Sequence, residues 1–119
     1  MTVIFYDLDD VNFTTVTEDE DITAWAEIGD GQNGAYLIFL GMEFKGENKR
    51  TFLGKGAEVK GRKGLVSATI TDTLQQTNRT SITVFVQEGN LPFRSFGPYK
   101  KEVPADKDTI VFTLGITFS

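Results

Sequence analysis

A two-residue alternation of apolar and polar side chains runs through most of this chain. It is cleanest in the last segment, Thr109–Ser119, where Ile110, Phe112, Leu114, Ile116 and Phe118 fall on one face. Residues 64–88 show it twice, with Val66, Ala68 and Ile70 on a first arm and Ile82, Val84 and Val86 on a second. Thr and Ser fill most of the alternate positions there, the pattern of a sheet with one face buried and the other wet. The two arms with their polar connection read as antiparallel strands of a hairpin.

The remaining segments extend the same reading. Val3–Tyr6 is a short first strand, Asp7–Asp10 a turn, and Val11–Thr17 a Thr-rich strand suited to an edge. Ile22, Ala24, Ala26 and Ile28 alternate with Thr23, Trp25 and Glu27, which turns the only tryptophan toward the opposite face from the small aliphatics. Gly29–Gly34 reads as a hairpin turn, since Asp-Gly and Asn-Gly pairs accept positive φ. Ala35–Phe44 is apolar on both faces and reads as one central strand, or one crossing a subunit contact. Thr51–Leu53 is a short strand inside a Gly/Lys/Arg-rich stretch, and Asn90–Pro104, which holds all three prolines, reads as a long loop. No helical period, internal repeat or interdomain linker interrupts the series.

Seven to nine strands in 119 residues predict an all-β fold in one domain spanning 1–119. The favoured arrangement is a two-sheet antiparallel β-sandwich of immunoglobulin-like or Greek-key type. A small barrel of the OB or jelly-roll kind is the alternative.

Composition narrows the chemistry. The chain has neither cysteine nor histidine. This excludes disulfides, thiolate metal sites and every Ser-His-Asp or Cys-His constellation, and it removes the usual general base near neutral pH. The paired carboxylates fall in turn-like, water-exposed runs, so no enzyme and no cofactor is expected. The amino terminus lacks the features of a signal peptide, which leads to a cytoplasmic expectation. The longest apolar run, Ala35–Leu40, is too short for a membrane-spanning helix.

The net charge of −5 is unevenly distributed: residues 1–47 carry net −10 and residues 48–119 net +5. The acidic part disfavours general binding of nucleic acid or anionic membranes. The basic part leaves a local anion candidate, Lys55, Lys60, Arg62 and Lys63 among four glycines. Its Gly61-Arg62-Lys63-Gly64 has the letters of the GXXG phosphate clamp, though that clamp joins two helices. Gly29–Gly34 likewise matches G-x-G-x-x-G, but a strand follows it and Asp30 would repel phosphate. Asp7, Asp9 and Asp10, with Glu18, Asp19 and Asp21 as further oxygen donors, are the calcium candidate, and solvated turns are the simpler reading, so no metal is expected.

Phe93, Arg94, Phe96, Tyr99, Lys100 and Lys101 share the Pro/Gly-bounded loop, and aromatics with Arg are the composition of a binding hot spot. The competing reading is that the rings cap an open end of the core. The leading functional expectation is a non-enzymatic protein-interaction module. It would assemble with its own copies head to tail, as a ring or filament, by apposing acidic and basic surfaces. A carbohydrate-binding module using Trp25, Tyr36 or Tyr99 is the first alternative, and anion or nucleic-acid binding at Lys55–Gly64 the second.

Overall fold

The computed structural model describes residues 2–73, 78–105 and 107–119. It contains ten strands and one single-turn helix. The strands are β1 (Val3–Asp7), β2 (Val11–Phe13), β3 (Asp21–Ile28), β4 (Asn33–Leu40), β5 (Glu43–Glu47), β6 (Thr51–Lys55), β7 (Lys63–Thr71), β8 (Arg79–Glu88), β9 (Arg94–Glu102) and β10 (Thr109–Phe118); the helix α1 is Gly56–Val59. One sheet runs β1-β10-β7-β4-β5, with β2 also on β10, and the other runs β6-β3-β8-β9. We call them sheet A and sheet B. No helix among the described residues is long and apolar enough to cross a membrane.

The alternating positions become a shared core. From sheet A come Ile38, Leu40, Val66, Ala68, Ile70 and all five alternating residues of β10; sheet B adds Ile22, Ala24, Ile82, Val84 and Val86. Burying each such Val, Leu, Ile or Phe stabilises the fold by about 1.5–3 kcal/mol relative to exposure. Every backbone amide and carbonyl on these strands needs a ladder partner once it leaves water. That requirement joins the apolar faces into two sheets.

Pairing departs from the sequence reading in four places. β7 and β8 are strands as expected, but they lie in different sheets and form no hairpin. Residues 74–77, between them in sequence, lie outside the described part. Gly29–Gln32 does form a tight turn, with Asp30 at φ 57° and Gly31 at φ 69° and the Gln32 amide donating to the Gly29 carbonyl. It carries the chain from β3 in sheet B to β4 in sheet A, so it is an arch rather than a hairpin turn. Alternation cannot distinguish these cases, because either strand arrangement keeps the same residues facing inward.

Ala35–Phe44 is not one doubly covered strand. It turns at Gly41-Met42 into the β4–β5 hairpin, and Leu37, Phe39 and Phe44 face outward while Tyr36, Ile38 and Leu40 enter the core. Residues 94–102, read as loop, form the edge strand β9, held by its ladder to β8. A shift in that ladder lies opposite Gly97-Pro98, the kind of place where an edge strand accommodates proline.

The sheets are mostly antiparallel, with β1 and β2 both parallel to β10. The immunoglobulin-like or Greek-key expectation rests on the number and spacing of the strands, which do not fix their order. Here β3 pairs with β6 and β8, and β7 pairs with β4 and β10.

Candidate functional site

The outer face of sheet B carries an aromatic platform. In β3 and β8 the residues alternating with Ala24 and Val86 point outward, and Trp25 stands directly opposite Phe85 in the ladder. Their rings stack with centroids 5.4 Å apart and planes 12° from parallel. Phe93, from the β8–β9 connection, meets both edge-on at 5.8 and 5.3 Å. Phe52, paired with Thr23 on β6, is exposed on the same sheet.

Arg50 completes the platform. It leads into β6, and its guanidinium lies 3.9 Å above the Trp25 ring while donating to Gln87 Oε1. Gln87 in turn donates to the Leu91 carbonyl at 3.0 Å, tying the β8–β9 connection to the sheet. Stacked and edge-on aromatic pairs contribute about 0.5–1.5 kcal/mol each beyond area burial. These contacts hold the rings in place.

Beside the platform is an open polar cleft of about 450 Å³ lined by Glu20, Asp21, Thr23, Arg50, Lys55, Gln87, Gly89 and Asn90. Lys55 pairs with Asp21 at 2.7 Å, and the Asp21 hydrogen bond and charge raise the Lys55 pKa. Next to it, the buried Glu88 carboxylate accepts the Val16 amide at 2.9 and 3.0 Å. It also accepts the Thr17 amide at 2.6 Å and the Thr17 hydroxyl at 2.8 Å. Burial pushes the Glu88 pKa upward, but the two amides and the hydroxyl together outweigh it, and the net shift is downward. Glu88 therefore works as an anionic clamp on residues 16 and 17, which fixes the loop that borders the cleft.

The expected interaction residues separate. Phe96 is buried in the core. Arg94 lies over Phe96 and Phe13, with centroid distances of 5.0 and 5.7 Å, and donates to the Asn12 carbonyl at 3.3 Å. Lys101 sits 5.2 Å from the Tyr6 ring. Tyr99 packs half-buried against the core, and burial, with Asp9 nearby, raises its pKa. Together these side chains seal β9 of sheet B onto β1 and β2 of sheet A. Lys100 stays exposed, and Phe93 alone joins the platform.

The anion candidates flank α1. Lys55 is bound to Asp21 and Lys63 to Asp10, each at 2.7 Å. Lys60 is exposed beside the helix end, and Arg62 reaches the Leu40 carbonyl at 3.4 Å. Two of the four charges are thus already matched by carboxylates. Asp7 ends β1, Asp9 lies near Tyr99, and Asp10 is engaged by Lys63. Among the described residues no three acids converge as a metal site. Of the carbohydrate candidates, Tyr36 is buried in the core and Trp25 is covered on one face by Arg50.

Phe85 was legible as outward from its alternation with Val84 and Val86, and Trp25 from its own strand. Arg50 was not, because it sits in a connection whose path the sheets decide. Comparison of the chain with family models, with curated proteins and with solved structures finds no match.

Proposed function

We propose that this two-sheet sandwich is a non-enzymatic protein-interaction module whose recognition surface is the platform of Trp25, Phe85, Phe93 and Arg50. The observation that carries the reading is an ordered aromatic cluster on a sheet face otherwise suited to Thr and charge. Trp and Arg are enriched among hot-spot residues, and a polar rim around an apolar centre is ordinary interface anatomy. The adjoining cleft supplies both signs of charge through Arg50, Lys55, Glu20 and Asp21. An extended peptide would lay an apolar side chain on the rings and its backbone or a polar side chain in the cleft.

Opposite charge on the two parts of the chain supports this reading less. Asp10–Lys63 and Asp21–Lys55 each join an acid of the first part to a lysine of the second within one molecule. The charge split therefore closes partly on itself, leaving less for head-to-tail apposition.

A phage-displayed peptide library selected on the wild-type protein tests the proposal. Enriched peptides should shift the tryptophan emission and lose at least about 30-fold in affinity on Trp25→Ala or Phe93→Ala, the range of a hot-spot truncation. No enrichment, or peptides indifferent to both substitutions, would rule the reading out. Binding to a glycan array that depends on Trp25 would favour the carbohydrate alternative instead.

A further inference from the structure

β1 closes sheet A beyond β10, and its far edge is open. The Thr2 carbonyl accepts the Thr109 amide and the Leu8 amide donates to the Thr113 carbonyl, so residues 2, 4, 6 and 8 turn their backbone groups toward β10. Val3, Phe5 and Asp7 turn theirs the other way, where β1 has no neighbouring strand among the described residues. Their side chains leave that edge uncovered, with Val3 48% and Phe5 75% exposed. Further along the same side, the Asn12 carbonyl of β2 accepts from Arg94 at 3.3 Å. The β1 groups have no such cover.

The other edges carry the usual protections. β9 has Gly97-Pro98 followed by Lys100 and Lys101, and β5 meets β4 across a register shift and carries Lys45. β6 has Gly54 at φ 150° and gives its Lys55 amide to Glu58 at 2.9 Å. β1 reads Val-Ile-Phe-Tyr-Asp, with no Pro, Gly or Lys. An edge without those devices is a template for one more strand.

We infer that β1 is a docking edge for an extended peptide in which apolar and acidic residues alternate. The extended backbone follows from Val3, Phe5 and Asp7, whose outward N–H and C=O groups call for a ladder partner. The alternation follows from the two sides of the edge. On the outer side the peptide's side chains fall beside Val3 and Phe5 and cover them. On the inner side they fall beside Tyr6, where the Lys101 ammonium lies 5.2 Å from the ring. Among the described residues Lys101 pairs with no carboxylate. Asp7 pairs with Thr113 and faces the outer side, and Asp9, in the turn after β1, lies toward Tyr99. A second copy suits this edge less well. Joined β1 to β1 about a two-fold axis, it sets Ile4, Tyr6 and another Lys101 on the inner side, like charge beside like charge.

Two fluorescently labelled peptides of about eight residues test this, one alternating Val with Glu and the other Val with Lys. By fluorescence anisotropy the Glu peptide should bind at least about 10-fold tighter, and Lys101→Glu should reverse the order. N-methylation of the Glu peptide at one set of alternate residues should weaken binding at least about 10-fold and at the other set little, because only one set turns its amides to β1. In the free protein the Val3, Phe5 and Asp7 amides should exchange faster than those of Ile4 and Tyr6, and the Glu peptide should protect them. The inference is overturned if neither peptide binds up to about 1 mM, if both bind alike, if either N-methyl set is equivalent, or if bound peptide leaves the Val3 and Phe5 amides unprotected. Trp25→Ala should leave this binding unchanged, so the edge and the aromatic platform fail separately.

Discussion

Glu88 shows how a single side chain can organise a region that lacks regular structure. Residues 14–20 form no strand, and the buried carboxylate supplies the acceptors that the Val16 and Thr17 amides would otherwise lack. Hydrogen bonds to a charged group contribute about 1.5–3 kcal/mol each, and an unsatisfied buried donor costs about 1–3 kcal/mol. Glu88→Gln replaces one acceptor with a donor facing donors, and should cost roughly 2–3 kcal/mol in urea unfolding at pH 7. The pH dependence follows from the lowered pKa. Stability from Glu88 is fully present above the unfolded-state carboxyl value, about 4.3, and is lost as pH falls through the lower folded-state value. The wild-type advantage over Glu88→Gln should accordingly shrink between pH 5 and pH 3. An advantage constant down to pH 3 would mean that the carboxylate charge contributes nothing.

At the scale of elements, β10 holds the fold together. It has five fully buried side chains and pairs with β7, β1 and β2. Phe112→Ala, in the middle of the strand, should destabilise by about 3–5 kcal/mol through lost burial and a residual cavity. The urea midpoint should fall with little change in m. The short helix α1 is built differently. Its Gly56 amide donates to the Glu20 carbonyl and the Ala57 amide to the Glu18 carbonyl, so it abuts the acidic stretch backbone to backbone. A Cβ on Gly56 would collide with the Thr17 carbonyl oxygen. Gly56→Ala should therefore lower the melting temperature, since backbone on the far side has little room to retreat. It should also speed amide exchange at Val16 and Thr17, where Glu88 anchors the same loop. Unchanged exchange there would show that the loop is held independently of the helix.

On the scale of the whole molecule, two sheets share one core and are sealed on one side by β9 against β1 and β2. Such a body should unfold as a unit. Trp25 fluorescence reports sheet B and far-ultraviolet circular dichroism reports both sheets, so the two urea curves should coincide. Separated curves would show that the sheets unfold independently. The two outer faces differ in chemistry: sheet B carries aromatic and charged side chains, and sheet A carries mostly Thr, Ser and apolar residues with the Asp10–Lys63 pair over Gly115. That division was invisible in the linear charge count, because lysines from the second part of the chain fold back onto acids of the first.

Read alone, the chain determined what a local pattern can determine. Alternation sorted inward from outward residues in β3, β7, β8 and β10, because the side chains of a strand alternate sides whatever the strand pairs with. It placed Trp25 on the outer face for the same reason. Tertiary structure alone decided which strands are neighbours, since an arch and a hairpin bury the same residues and differ only in distant backbone partners. It also made β9 a strand despite its Pro, Gly and Lys, because the ladder from β8 outweighed weak local propensity. Arg50 came to lie over Trp25, and Arg94 over Phe13, only once segments far apart in sequence had been brought side by side.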